Sequence, residues 1–347
     1  MLVRCGGHES TPLKSGPVGA IVVDRLAVRS LKWPMVPDVT DPAPSALARR
    51  LGSGRFVITA EITPPVSSDP ADLLARAAPL RGLATAVNVT DGAGAKAHLS
   101  SLAASRLLLD NGIEPVLQMT CRDRNRLALQ GDLLGALALG VRNLLVLRGD
   151  DPSAGDQPDA KPVFDLDSRA LLETAQRLRR DHALPTGTAV KGPVALWLGA
   201  ADTPIDPPPD WSPDSLIAKR DAGADFIQTQ FCFDIGVVRR YAARLGELGI
   251  VPGLKILIGI APVPSARSAR WMRDKLFGTI MPEPLIERLE RATDPRAEGK
   301  AICVELLQQL AAIPGIAGAH IMAPQNPAAI PEVIAAAGVT GVPSRAL

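Results

Sequence analysis

From residue 46 onward, eight short apolar runs alternate with segments of helical periodicity, and this alternation limits the fold more than any other feature. The runs are FVITAEI (56–62), ATAVNVT (84–90), EPVLQMT (114–120), NLLVLRG (143–149), PVALWLG (193–199), DFIQTQF (225–231), LKILIGI (254–260) and AGAHIMA (317–323). Strands separated by helical stretches imply parallel pairing through crossover helices. Eight such units favour a closed barrel, because closure leaves no strand edge unpaired. The expected architecture is α/β: a single-domain (β/α)8 TIM barrel over residues 46–347, preceded by an N-terminal tail, residues 1–45.

Composition narrows the function. Hydrophobic residues make up 46% of the 347, enough for a large core, and 38 Lys plus Arg stand against 36 Asp plus Glu. Such a balance gives no electrostatic footprint for nucleic acid, and no stretch has the length and apolarity of a membrane span. A small-molecule partner is expected, and a homo-oligomer is compatible with the pattern. The tail has no continuous apolar segment ahead of a cleavage site, so no signal peptide is expected and no role is assigned to it. Cysteines at 5, 121, 232 and 303 show neither CxxC nor metal spacing. No metal site is expected, and a reduced, cytoplasmic compartment fits.

In β/α barrels the chemistry sits where strands end, so polar residues there are the candidates. Glu61 closes the first strand, Asn88, Thr90 and Asp91 the second, Gln118 and Thr120 the third, Arg148-Gly149-Asp150 the fourth, and Gln228 to Gln230 the sixth. All are expected to converge on one mouth, rimmed by the long loops 150–162 and 202–213. Glu61 follows apolar residues and suits a proton donor. Asp150 follows a glycine that lets a ligand approach the backbone closely. The glycines of DGAGA (91–95) suit a phosphate at a helix start, or simply a tight turn. Asp123 is expected to cap the helix that Gly140 ends. His98 and His182 are read as helix residues and His320 as a satisfied barrel histidine. No Ser/His/Asp order emerges, and neither Lys219 nor Lys255 is placed for a Schiff base. A magnesium-dependent lyase using Asp91 and Asp150 remains open at this level.

The ordered set AEITPP, NVTDGAGA, TCRDRN, LQGDLLGALALGVRN, VLRGD, DAGADFIQTQFCFD, IGIAPVPSARSARWM and GIAGAHIMAPQNP resembles the methylenetetrahydrofolate reductase family over roughly residues 50–335. The wording looks closest to the branch also found fused to homocysteine methyltransferases. The resemblance implies a β/α barrel that binds FAD and interconverts 5,10-methylenetetrahydrofolate and 5-methyltetrahydrofolate with NADH or NADPH, in one-carbon metabolism leading to methionine. It further implies Glu61 as the acid that opens the folate ring to a 5-iminium cation, and Asp150 as the carboxylate that stabilises the cation. Gln230 and Phe277 then contact substrate, while Thr90, Asp91, Gln118, Arg148, Gly149, Asp150 and Lys219 fall at flavin positions. The chain departs from that pattern at Gln118, where many members carry His, and in LWLGAADTPIDPPPDW after the fifth strand. Two alternatives therefore accompany the flavoprotein: flavin-free hydride transfer directly from the nicotinamide, and a non-catalytic folate-binding barrel.

Overall fold

The computed structural model describes residues 44–323 and 326–343. Most of the expected tail thus lies outside the described residues, as do Cys5 and the last four residues. Eight parallel strands close into a barrel in chain order: β1 (Val57–Ile62), β2 (Ala86–Val89), β3 (Pro115–Thr120), β4 (Asn143–Leu147), β5 (Trp197–Asp202), β6 (Phe226–Phe231), β7 (Lys255–Ile260) and β8 (Ile316–Ile321). The helices are α1 (Ala46–Gly52), α2 (Pro70–Ala77), α3 (Ser101–Asp110), α4 (Arg126–Ala138), α5 (Ser168–Asp181), α6 (Asp214–Asp221), α7 (Ile235–Glu247), α8 (Ala266–Lys275), α9 (Glu283–Arg291), α10 (Pro295–Ala311) and α11 (Ala329–Ala337). The expected TIM barrel is the observed fold.

The apolar runs locate every strand but one to within two residues. The exception is β5, which starts four residues later than the PVALWLG run predicts and extends through Gly199, Ala200 and Ala201 to Asp202. Gly199 leaves no room for a side chain: a Cβ there would run into the Phe226 ring. A strand of small residues carries a weak hydrophobic signal although its pairing with β4 and β6 is complete. A second correction concerns α4, whose N-cap is Asn125, accepting from the amides of Leu127 and Ala128 at 3.1 Å each. Asp123 instead pairs with Arg122 at 2.7 Å. His98 precedes α3 and is not a helix residue.

Helix α1 seals the N-terminal end of the barrel. Its Leu47 and Leu51 are buried against the lowest interior layer, which includes Val57, Val116, Leu145, Phe226 and Leu257. Each such leucine contributes roughly 1.5–3 kcal/mol by leaving water. The helix start is fixed by Glu114, at the head of β3, whose carboxylate accepts from the amides of Ala46 and Leu47 at 2.7 Å each and from Asn143 Nδ2 at 2.9 Å. An anion at that position also opposes the positive end of the helix dipole.

Above the apolar floor the interior turns polar. Residues two apart on a strand share a face, so Thr59 lies one layer beneath Glu61, and Gln228 beneath Gln230. Asn88 Nδ2 donates to Gln228 Oε1 at 2.6 Å, and Gln228 Nε2 donates to Thr59 Oγ1 at 3.0 Å. Thr59 Oγ1 lies 2.9 Å from His320 Nδ1. All four side chains are buried. The linked set satisfies groups that would otherwise be costly in the interior.

Candidate active site

The C-terminal end of the barrel holds a cavity of about 490 Å³, lined by residues that include Glu61, Gln118, Lys219, Gln230 and Phe277. Together with Gln228 and Thr229, seven of the residues singled out from sequence as site candidates therefore meet in one place. Its wall also contains two that sequence reasoning passed over as site residues, Asp202 and His320.

Glu61 is the centre of this wall. Its Oε2 accepts a hydrogen bond from Gln118 Nε2 at 2.8 Å and lies 3.6 Å from His320 Nε2. The polar layer below sets the imidazole. Thr59 Oγ1 accepts from Gln228 and lies 2.9 Å from His320 Nδ1; in the tautomer in which Thr59 donates to Nδ1, the Nε2–H faces Glu61. The carboxyl oxygen is thus held from β3 by Gln118 and faces His320 on β8, while the side chain keeps 21% of its surface open. Such a group can give up a proton to a ligand in the cavity without changing its place. His320 was legible as an inward residue from its position in strand eight, but its proximity to Glu61 follows only from closure of β8 onto β1.

Across the mouth, Gln230 Oε1 accepts from the Phe231 amide at 3.0 Å. Phe277 stands beside it with 88% of its surface exposed. The loop carrying this ring is tied to β6, since Ile280 N–H donates to Phe231 O and Phe233 N–H to Ile280 O, both at 2.9 Å. Gly278, at φ +76°, packs so closely on Thr203 that a Cβ would collide with that side chain. A large apolar ring held over a cavity by anchored backbone gains burial only when something lies beneath it.

Lys219, on α6, forms an ion pair with Asp202 at 3.3 Å. The later start of β5 is what brings Asp202 to the strand end. Thr90 is buried, and its hydroxyl has no partner among the described residues. Asp91 is anchored: its Oδ2 accepts from Thr120 N at 2.8 Å and Thr120 Oγ1 at 2.9 Å, and it pairs with Arg124. Arg148 sits over the Phe164 ring, 5.1 Å from its centroid. Gly149 adopts φ +92°, with the Thr120 and Arg122 side chains against it.

Asp150 is not among the residues lining the cavity. It is exposed at the rim, three residues beyond β4, and Gly94 N–H donates to its Oδ2 at 3.1 Å. The expected convergence on one mouth therefore holds for Glu61, Gln118, Gln228, Thr229 and Gln230, which Lys219 and Phe277 join; Asn88, Thr90, Asp91, Thr120, Arg148, Gly149 and Asp150 do not line the cavity, and Asp150 instead joins the neighbouring loop DGAGA. Among the described residues no group of three or more His, Cys, Asp or Glu side chains comes together to hold a metal ion. Likewise, none of the described helices is long and apolar enough to cross a membrane.

Comparison with known proteins relates the chain to a family. The model of the methylenetetrahydrofolate reductase family covers residues 46–338. A probable methylenetetrahydrofolate reductase (NADPH) of Caenorhabditis elegans is 27% identical over 249 residues, 69% of this chain and 34% of that protein. The 5,10-methylenetetrahydrofolate reductase of Pectobacterium carotovorum is 26% identical over 248 residues, 65% of this chain and 74% of that one. The chain spans about a third of the length of the first curated relatives it matches. Among solved structures, an uncharacterised Clostridium thermocellum protein that binds two copies of 5-methyl-5,6,7,8-tetrahydrofolic acid superposes with a TM-score of 0.54 at 15% identity. The likeness covers 84% of this chain and 97% of that one, and it supports the fold. With the family model spanning nearly the whole barrel, the chain belongs to the methylenetetrahydrofolate reductase family.

Proposed function

We propose that the protein is an oxidoreductase that interconverts 5,10-methylenetetrahydrofolate and 5-methyltetrahydrofolate, with NADH or NADPH consumed in the reducing direction. The observation that carries this reading is Glu61, steadied by Gln118 and beside His320 in the cavity that Gln230 and Phe277 share. A closed, neutral aminal does not accept hydride. In the reducing direction Glu61 gives its proton to N10, the bond from N10 to the bridging carbon breaks, and that carbon becomes a 5-iminium cation. Hydride from the nicotinamide adds to the carbon and leaves a methyl group on N5. Gln230 orients the pterin, Phe277 covers it, and Asp150 supplies a negative charge from the rim.

The site favours the flavin-free form of this reaction. At the positions where the resemblance puts FAD, Lys219 is held by Asp202, Asp91 by Arg124 and Thr120, Gln118 by Glu61, and Arg148 lies over Phe164. Thr90 Oγ1 is the exception, buried without a partner. Side chains engaged with the chain's own groups in this way do not fit FAD, so no step is routed through it.

The visible spectrum of the purified protein, with and without added FAD, tests that choice. A protein lacking the flavin band near ~450 nm that still oxidises NADH or NADPH with methylenetetrahydrofolate supports direct transfer. A flavin band that bleaches with NADH refutes it. Folate binding with no turnover under any condition would instead identify a non-catalytic folate-binding barrel.

A further inference from the structure

The two oxygens of the Glu61 carboxyl are not equivalent. Oε2 takes the hydrogen bond from Gln118 Nε2 at 2.8 Å and faces His320 Nε2 at 3.6 Å, whereas Oε1 has no partner among the described residues. A proton on Oε2 would confront the Gln118 N–H, so the proton that a ligand can take belongs on Oε1. His320 is only 2% exposed, and its nitrogens are therefore met chiefly by protein groups. What Nδ1 does is set from below. Asn88 Nδ2 donates to Gln228 Oε1 at 2.6 Å, and Gln228 Nε2 donates back to Asn88 Oδ1 at 3.1 Å, which fixes the Gln228 amide. The same Nε2 donates to Thr59 Oγ1 at 3.0 Å. Thr59 has one proton of its own to give, and His320 Nδ1 at 2.9 Å is a nearer acceptor than Ala319 O at 3.5 Å.

We propose that His320 is a positioning residue for the proton transfer. The chain Asn88–Gln228–Thr59 holds it as the Nε2–H tautomer, this N–H and Gln118 together claim Oε2, and the transferable proton is thereby confined to Oε1. At 3.6 Å the contact is longer than a hydrogen bond, and it shortens to one when the carboxyl settles against a ligand. Four side chains from β1, β2, β6 and β8 thus act on one oxygen of the acid, through a histidine that touches no reacting atom. The part played in proton transfer rests on the folate reading above; the tautomer and the anchoring of Oε2 do not.

Two measurements on the full-length protein test this, with circular dichroism melts to confirm that each variant folds. The chain has four histidines, so in protein labelled with 15N-histidine the signal lost in His320→Asn identifies this ring. Near neutral pH, two-bond 15N–1H correlation should show it neutral and protonated on Nε2, and Thr59→Val, which removes the hydroxyl, should abolish that preference. A ring protonated on Nδ1, or on both nitrogens, overturns the proposal whatever the protein does in turnover. The second measurement is steady-state kinetics with methylenetetrahydrofolate. Gln at 320 keeps an N–H at the reach of Nε2, and Asn keeps one only at the reach of Nδ1. His320→Asn should therefore lower kcat about tenfold or more with KM for folate within about twofold, and His320→Gln should recover most of the loss. A histidine that merely satisfies the barrel interior reverses that order, because Asn still serves Thr59; a kcat for Asn equal to or above that for Gln overturns the proposal. On the Glu61→Gln background, His320→Asn should cost less than about a further twofold. A full tenfold further loss shows that His320 acts apart from Glu61 and also overturns it. If the wild type never turns over while the ring carries its proton on Nε2, the reductase reading fails and the anchoring of Oε2 stands.

Discussion

Replacing Glu61 by Gln removes one proton and almost nothing else, which makes it the most informative single change in the site. The amide has the shape of the carboxyl, and its carbonyl oxygen can still accept from Gln118 Nε2, a bond of 2.8 Å in the native protein. Even complete loss of that bond costs only about 0.5–1.5 kcal/mol, so folding and folate binding should change little. The lost proton is a different matter. A positioned general acid contributes roughly 10²- to 10⁴-fold, equivalent to about 2.7–5.4 kcal/mol at 1.36 kcal/mol per tenfold. With 21% of the Glu61 side chain open, water can reach the same place and deliver a proton less efficiently. The lower end of the range therefore applies, and turnover should fall about a hundredfold. Steady-state oxidation of NADH or NADPH at saturating methylenetetrahydrofolate measures the fall, and calorimetric titration with 5-methyltetrahydrofolate measures binding. Turnover within about fivefold of wild type would refute the assignment of Glu61 as the acid.

Three further outcomes follow from other parts of the molecule. Glu114→Ala removes the acceptor for Ala46 N, Leu47 N and Asn143 Nδ2 and loosens the α1 floor; urea unfolding should show a loss of about 2–4 kcal/mol, and a loss under about 0.5 kcal/mol would show that the floor is held by its leucines alone. Gly278→Ala places a Cβ against Thr203 at a left-handed backbone position that costs about 1–2 kcal/mol in itself; displacement of Phe277 should raise KM for folate more than it lowers kcat, and unchanged kinetics would deny the ring a part in binding. Burial pushes the Cys121 thiol up to about 11 and the Cys232 thiol up to about 12, and burial raises Cys303 as well. These three thiols stay protonated well above neutral pH, so they should remain silent to a thiol reagent at about pH 8 until denaturant is added; rapid native labelling of any of them, read by peptide mass, would contradict the packing described above.

How much of this was legible in the sequence depended on which interactions each feature rests on. Barrel strands buried on both faces announce themselves as apolar runs, and Glu61 and Gln230 stood out because polar residues there interrupt such runs. Strand β5 escaped because its second half is built of small residues, and Gly199 is small in response to Phe226, a residue 27 positions away. With β5 displaced, Asp202 fell into a loop and its pairing with Lys219 could not be foreseen. Asp150 was placed correctly in the chain, just past β4, yet the direction of its side chain was set by Gly94, in a loop between different strands. His320 was recognised as a buried histidine, but the contact with Glu61 joins β1 and β8, the two strands farthest apart in sequence. Local pattern thus located the candidates, and only ring closure fixed which of them touch.

The α1 floor also governs traffic. Because α1 seals the N-terminal end of the barrel, among the described residues Glu61 is open from the C-terminal side, where the cavity it lines lies. Under the proposed function, folate and nicotinamide would therefore enter and leave over a common threshold, at the mouth that Phe277 lines. Neither can slip out behind the other. An excess of folate should consequently slow exchange of the nicotinamide and appear as substrate inhibition, a signature imposed by a helix on the opposite side of the barrel from the chemistry.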